Sequence, residues 1–297
     1  MSASPARRPT DHIVIWPDER LDAVTQVIRA AEHRLLLSIF KCNEPRILEE
    51  LGLARGRGVE IEAILTARAS GRRRKLRRLR KKLDRLGVVV HEPRDPEAKY
   101  HAKYVVADSR VALIASLNFT RKCFRRSCDF LLSTSDSDLV SGVQRLFDYD
   151  ARHQTAPVMD DLMNDGSSRL IVSPDGARER IRELLTSARE RIAIIDPKLT
   201  DVEMITLLRQ KLARGVQVEV LGHDNVGRFS SHGKLLIVDD RVAVIGSLSL
   251  SPSGLDERRE LAALVTDPEP LAELTQFFRM AAQHVPPPLP EVHAAFC

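Results

Sequence analysis

Aromatic residues make up only 4% of this 297-residue chain, and there is one tryptophan. Stacking platforms for single-stranded nucleic acid are therefore not advertised. Cysteine is equally scarce. Cys42, Cys123, Cys128 and Cys297 stand at irregular positions, too sparse for a disulfide scaffold and without the CxxC or Cys/His spacing of a zinc site. No apolar run approaches the roughly 18 residues of a membrane span. The opening MSASPARRPTD has no apolar core, so no secretory signal is expected. These absences point to a cytoplasmic protein with reduced thiols, no metal and no cofactor, whose only membrane contact would be peripheral, at the inner membrane surface.

What is present is a good supply of core-forming residues, 43% hydrophobic, and a net charge of +5 with a pI of about 9.2. That balance suits a polyanionic partner, and both nucleic acid and anionic membrane qualify.

The organising feature is a repeat. HAKYVVADSRVALIASLNFT carries His101, Lys103, Asp108, Ser116 and Asn118. HGKLLIVDDRVAVIGSLSLS follows 131 residues later with His232, Lys234, Asp239, Ser247 and Ser249. One short motif can be an accident; two, each continued by the same DxRVAxIxS pattern, are not.

Around each copy the hydrophobic pattern alternates between strand and helix. A short strand from His12 to Trp16 precedes a helix in which Leu21, Val24, Val27, Ile28 and Ala31 share one face. Apolar runs at 35–40 and 59–65 flank a helix opened by Pro45. Two strands joined at Asp108–Arg110, a strand at 130–133 and a helix at 137–149 complete the first half. The same plan returns with strands at 170–172, 192–195, 216–221 and 261–265, and with helices at 175–189, 202–214 and 269–282. The expected architecture is α/β, with two pseudo-symmetric α-β-α halves of mixed sheet, at residues 12–150 and 169–284, and an active site between them. Residues 151–168 read as a linker, and 285–297, rich in proline, as a loose tail.

The halves differ in one place. From Gly58 to His101 is 43 residues, whereas from the matching Gly215 to His232 is 17. The surplus contains a basic helix at 71–86, with Arg72, Arg73, Arg74, Lys75, Arg77, Arg78, Arg80, Lys81 and Lys82 on it and leucines at helical spacing. So dense a run of one sign repels itself unless an anion lies near, so a membrane or nucleic-acid contact is expected there.

Imidazole near neutrality is both a nucleophile and a proton carrier. A lysine two residues along a strand shares the histidine's face, where its ammonium can stabilise charge developing on an oxyanion. Two such pairs about one phosphate make a metal-free route to phosphodiester cleavage.

HxKxxxxDxxxxxxGS, present twice, resembles the signature of the phospholipase D superfamily, and the resemblance spans residues 12–284. It implies that one histidine attacks phosphorus to form a phosphohistidine and the other protonates the leaving alcohol. It also implies that the lysines and Ser116, Asn118, Ser247 and Ser249 hold phosphate oxygens, with Asp108 and Asp239 supporting the site. Asp129 and Glu260 each lie 28 residues after a motif histidine, where similar enzymes place a carboxylate that orients it. Two departures stand out, Ala115 for the usual glycine, which would crowd a phosphate oxygen, and Ser249 for the usual asparagine. They assign the nucleophile to His101, beside Asn118, and the acid to His232.

The resemblance implies a phospholipase D or a cardiolipin-synthase-like phosphatidyltransferase acting on anionic phospholipid as a monomer, since both motifs lie in one chain. The alternatives are a nuclease or nucleic-acid end-processing phosphodiesterase, and a non-catalytic anion-binding module.

Overall fold

The computed structural model describes residues 10–66, 73–93, 99–152, 169–222 and 225–283. Arg72, most of the 151–168 linker, His223 and the tail from 285 lie outside them.

β1 (Asp11–Val14) leads into α1 (Pro17–Ala30), which Pro17 opens at its first turn with Asp18 and Glu19 beside it. A proline there lacks only an N–H that would have no helical partner, and the carboxylates suit the positive helix end. β2 (Arg34–Ile39), α2 (Pro45–Gly56) and β3 (Glu60–Leu65) follow. Then come α3 (Arg73–Arg85) and β4 (Val89–His91). The two-residue β5 (Lys99–Tyr100) precedes the hairpin β6 (Tyr104–Ala107) and β7 (Val111–Ala115). The first half closes with α4 (Arg121–Arg125), β8 (Ser127–Cys128), β9 (Leu131–Thr134) and α5 (Ser137–Arg152).

In the second half, β10 (Leu170–Ser173), α6 (Ala177–Ser187), β11 (Arg191–Ile195), α7 (Val202–Ala213) and β12 (Gln217–Leu221) repeat that order. The half ends with β13 (Ser230–Ser231), the hairpin β14 (Leu235–Val238) and β15 (Val242–Gly246), α8 (Pro252–Asp256), β16 (Arg258–Val265) and α9 (Pro268–Ala282).

The first sheet runs β1-β9-β7-β6-β2-β3-β4 and the second β10-β16-β15-β14-β11-β12, the same order strand for strand until β4. Both are mixed: β2 and β3 are parallel, while β2 and β6 are antiparallel. The residues surplus to the repeat thus build a crossover, α3, and one extra edge strand, β4, parallel to β3. Leu79 and Leu83 are buried against the outer face of the first sheet with α1 and α2, each worth ~1.5–3 kcal/mol. The cations at Arg74, Lys75, Arg77, Arg78, Arg80, Lys81 and Lys82 are exposed.

One apolar cluster joins the inner faces of both sheets to α5 and α9. Across it the halves exchange short strands. β5 of the first half pairs with β16 of the second, Arg258 against Lys99 and Arg259 against Tyr100. β13 of the second pairs with β8 of the first, Ser230 against Ser127 and Ser231 against Cys128. Each motif histidine follows one of these exchanged strands directly.

Candidate active site

His101 and Lys103 do not lie within β6, as simple strand alternation predicts. They occupy the extended passage from β5 to β6, where the His101 and Ala102 amides both donate to the Arg259 carbonyl, at 2.8 and 3.0 Å. His232 and Lys234 occupy the matching passage, where the Gly233 amide donates to the Cys128 carbonyl at 2.6 Å. The exchange carries each histidine into the other half.

The carboxylates are consequently crossed. His101 Nδ1 lies 2.8 Å from Glu260 Oε1 and 2.9 Å from Oε2. His232 Nδ1 lies 2.8 Å from Asp129 Oδ1. The 28-residue spacing therefore marks a carboxylate held by the histidine of the other repeat. Both carboxylates are fully buried. Burial alone would raise Glu260, but attraction to His101 and Lys103 and hydrogen bonds from His101 and Ser247 outweigh it and hold it at about 2. Asp129 is likewise held low by His232, Ser127 and Ser116 against the effect of burial.

The two imidazoles differ. Burial drives His101 down to about 3 despite Glu260. His232 is lowered for the same reason, but its side chain is 29% exposed against 10% for His101. A neutral imidazole suits attack, and the more hydrated one accepts a proton more readily. The phenyl ring of Phe40 stands edge-on to His101, with centroids 4.5 Å apart, and excludes water from it. Lys41, Lys99 and Lys103 ring that phenyl at 4.6, 5.4 and 5.3 Å.

Lys103 and Lys234 each donate to the carbonyl of the histidine two residues before. Burial and the proximity of Lys234 pull Lys103 well below its ordinary value, with Glu260 opposing. An anion between the two lysines would favour their charged forms, as a phosphate oxygen does.

The polar motif residues separate into distinct roles. Asn118 reaches the reacting face, its Nδ2 lying 3.3 Å from Nε2 of His232; it stands beside His232, not beside His101 as the sequence suggested. Ser116 and Ser247 are buried and bonded within the protein. Ser116 donates to Asp129 at 2.7 Å and accepts from the Phe130 amide at 2.9 Å. Ser247 accepts from the Leu261 amide at 3.1 Å. Ser249 is turned into a bond with Ser251 at 2.9 Å. All three hydroxyls are thus engaged by protein groups.

Asp108 and Asp239 are not at the reacting centre either. Each ends its strand at the hairpin turn, with φ of 51° and 53°, seven residues and roughly 23 Å of extended chain from its histidine. Asp108 accepts three amide N–H groups, from Glu32, His33 and Arg34, at 2.8, 2.9 and 2.7 Å. Asp239 does the same for Arg189, Glu190 and Arg191. Those bonds tie the hairpin to the start of β2 or β11, so the motif aspartates hold the fold.

Ala115 does not crowd a phosphate: its methyl packs into the apolar cluster behind the first sheet. The matching Gly246 has φ 152° and would put a Cβ 2.3 Å from the Leu261 carbonyl, so only that copy requires glycine. Gly233 is the tight point of the site. A Cβ there would lie 2.7 Å from the Cys128 carbonyl and 3.0 Å from Asp129 Cα. Gly233→Ala should push β13 off β8, lowering stability by about 1–3 kcal/mol and kcat by about tenfold through the misplaced His232; thermal melting and steady-state assays check both.

Arg20 carried no sequence signal. Buried in α1, it donates to the carbonyls of Cys123, Ser127 and Asp129, at 3.0, 2.7 and 2.9 Å, and to that of Ile15. It thereby fixes the segment that presents Asp129, with Ser127 donating to the same carboxylate. Among the described residues, Cys123, Asp129 and His232 have ligand atoms within 4.8 Å of one another, but both Asp129 oxygens are already engaged by His232, Ser116 and Ser127.

The fold defines a two-sheet α/β protein whose repeated halves meet at paired histidine–lysine motifs. A family model described as "Cardiolipin synthase, PLD-like domain" matches residues 24–151 and 222–281. The chain belongs to the phospholipase D superfamily, whose members are generally phosphoryl-transfer enzymes.

Polyphosphate kinase from Porphyromonas gingivalis superposes with a TM-score of 0.75 at 21% identity, covering 95% of this chain and 49% of that one. The present chain thus spans about half the length of that relative. Phosphatidylserine synthase from Haemophilus influenzae Rd KW20 superposes with a TM-score of 0.71 at 14% identity, covering 93% and 86%. At these identities the likeness establishes the shared fold. No curated protein sequence matches the chain. No helix among the described residues is long and apolar enough to cross a membrane.

Proposed function

We propose that the protein is a metal-independent phosphodiester hydrolase or transferase that works through a phosphohistidine, with anionic phospholipid as its substrate. The observation that carries the chemistry is the pair of crossed dyads. Each histidine is held at Nδ1 by a buried carboxylate of the opposite half, so Nε2 is the nitrogen left to react.

His101, buried and neutral, is the nucleophile. Its Nε2 attacks phosphorus, the bond to the leaving oxygen breaks, and His232 gives that oxygen a proton from its own Nε2. In the second step His232 takes a proton from water or an acceptor alcohol, which attacks phosphorus and releases His101. Lys103 and Lys234 carry the charge on the non-bridging oxygens. Asn118 serves both states of His232: its amide donates to a neutral Nε2, and its Oδ1, without a partner in this arrangement, can accept from a protonated one once the amide turns over.

The family description and the exposed cations of α3 support phospholipid, since such a face suits anionic headgroups. A nucleic-acid substrate is the second reading, favoured by Lys122, Arg125, Arg126 and Arg228, exposed cations that line an open groove near Ser230, two residues before His232. The test is cleavage in EDTA of phosphatidylglycerol vesicles and of labelled single- and double-stranded DNA. Phosphatidic acid or cardiolipin is expected, appearing only with both histidines intact. Cleavage of DNA with lipid untouched would overturn the lipid assignment, and loss of all activity in EDTA would overturn metal independence.

A further inference from the structure

Beside the second dyad an open groove of about 680 Å³ is lined by Lys122, Arg125, Arg126, Arg228, Phe229 and Ser230. It is built on the two segments that hold that dyad. Ser230 lies two residues before His232, roughly 7 Å of extended chain. Arg126 lies three before Asp129, and the Ser230 amide donates to its carbonyl at 2.9 Å. The four cations are exposed, and among the described residues none makes an ion pair. One carboxylate, Asp18, shares the wall. The Ser230 hydroxyl is buried and has no hydrogen-bond partner.

The other rim of the site is not like this. The 131-residue shift that relates Asp129 to Glu260 relates Lys122, Arg125 and Arg126 to Ser253, Asp256 and Glu257. Three cations on one rim are replaced by a serine and two acids on the other. Asp256 is moreover occupied, taking both Nε and Nη2 of Arg178 at 2.8 and 2.6 Å. At these aligned positions the two rims differ in sign, and the cations of the His232 rim gather in one groove, whereas Lys41 and Lys99 on the His101 side stand over Phe40.

We infer that the Lys122/Arg125/Arg126/Arg228 groove is a second phosphate subsite, and that it seats a phosphate carried by the alcohol leaving from, or arriving at, the His232 side. This rests on the reading of His232 as the proton donor to the leaving oxygen, and it deepens that reading by naming the alcohol's chemistry. Two phosphates joined by a three-carbon alcohol are a compact unit of this kind. That unit occurs both in glycerol-bridged phospholipids and in a nucleic-acid backbone.

The test uses bis(4-nitrophenyl) phosphate, which has one phosphate, as the reporter substrate. Propyl phosphate and propane-1,3-diyl bisphosphate are compared as competitive inhibitors of the intact protein and of Lys122→Ser/Arg125→Asp/Arg126→Glu, which copies the opposite rim. The intact protein should bind the bisphosphate about tenfold or more tightly than the monophosphate. The variant should lose that preference while keeping reporter turnover, which also shows that it folds. Equal inhibition by the two compounds in the intact protein, or a preference untouched in the variant, would overturn the inference. Absence of reporter cleavage by the intact protein would instead sink the proposed phosphodiester chemistry. Cardiolipin in detergent micelles, which carries two phosphates on one glycerol, and a single-stranded oligonucleotide, run as competitors, identify the source of the second phosphate. The one that weakens in the variant carries it, and if neither weakens the subsite is refuted.

Discussion

Rapid quench of His232→Ala should trap phosphate on the protein, and the same experiment on His101→Ala should trap none. Without the acid, attack by His101 still proceeds on a substrate with a good leaving group such as 4-nitrophenolate, because that oxygen needs no proton. The intermediate then accumulates, since water has lost its base. Without His101 there is nothing to phosphorylate. Both variants should lose at least about a thousandfold in kcat on a natural alcohol leaving group. Mass spectrometry of a peptic digest locates the label. A phosphorylated His232 in the His101→Ala protein, with none on His101 in its counterpart, would reverse the roles. The asymmetry of burial argues for the order proposed: His101 is driven down to about 3, while His232 is the more exposed of the two.

The crossed dyads make a second, sharper expectation. Glu260→Gln should cost about a thousand- to ten-thousandfold in kcat by disorienting His101, as loss of the orienting carboxylate does in a catalytic triad, and Asp129→Asn a similar amount through His232. Double-mutant cycles distinguish the partners. His101→Ala with Glu260→Gln should be strongly non-additive, and so should His232→Ala with Asp129→Asn, since each pair acts as a unit.

The pH profile adds the sign. The acid limb of kcat/KM reports His101 losing its proton, and the alkaline limb reports His232 losing the proton it must give. Both lie below the ordinary imidazole value of 6.5, because burial lowers both groups. Each carboxylate raises its own histidine, so Glu260→Gln should move the acid limb to lower pH and Asp129→Asn should move the alkaline limb to lower pH. Movement of the opposite limbs would mean that the carboxylates act within their own repeat.

The cations of α3 and the lysines beside the histidines stand in different surroundings. α3 packs Leu79 and Leu83 against the outer face of the first sheet and leaves its cations in water, where their effect is long-ranged and salt-dependent. The lysines at the centre are buried beside the histidines, where a phosphate oxygen feels them at low effective dielectric. Added salt should therefore weaken an anionic contact at α3 well before it weakens a phosphate's interaction with the buried lysines; binding and turnover measured across a salt series check this.

Much of the molecule was legible in the residues. The repeated His-x-Lys motif, the strand and helix order of each half, and the surplus segment with its basic face all followed from periodicity and spacing, because these are properties of neighbouring residues along one chain. The Asp129 and Glu260 positions were visible too, as equal offsets from the two histidines. Their partners were not. Spacing within a repeat says how far apart two residues are along the chain, and β5 and β13, two residues each, are too short to carry a hydrophobic signature. Yet those strands decide that His101 meets Glu260 and His232 meets Asp129.

The same limit explains the motif aspartates and serines. Asp108, Asp239, Ser116 and Ser247 share a motif with the histidines but face other ways, toward backbone amides or buried carboxylates. Arg20 left no trace because its partners are backbone carbonyls, which every residue has. The sequence by itself determined a doubled α/β chain with two histidine–lysine pairs. Only the tertiary structure decided which carboxylate holds which histidine and that Arg228 joins Lys122, Arg125 and Arg126 in one groove, because both depend on chain segments far apart in sequence meeting across the interface of the halves.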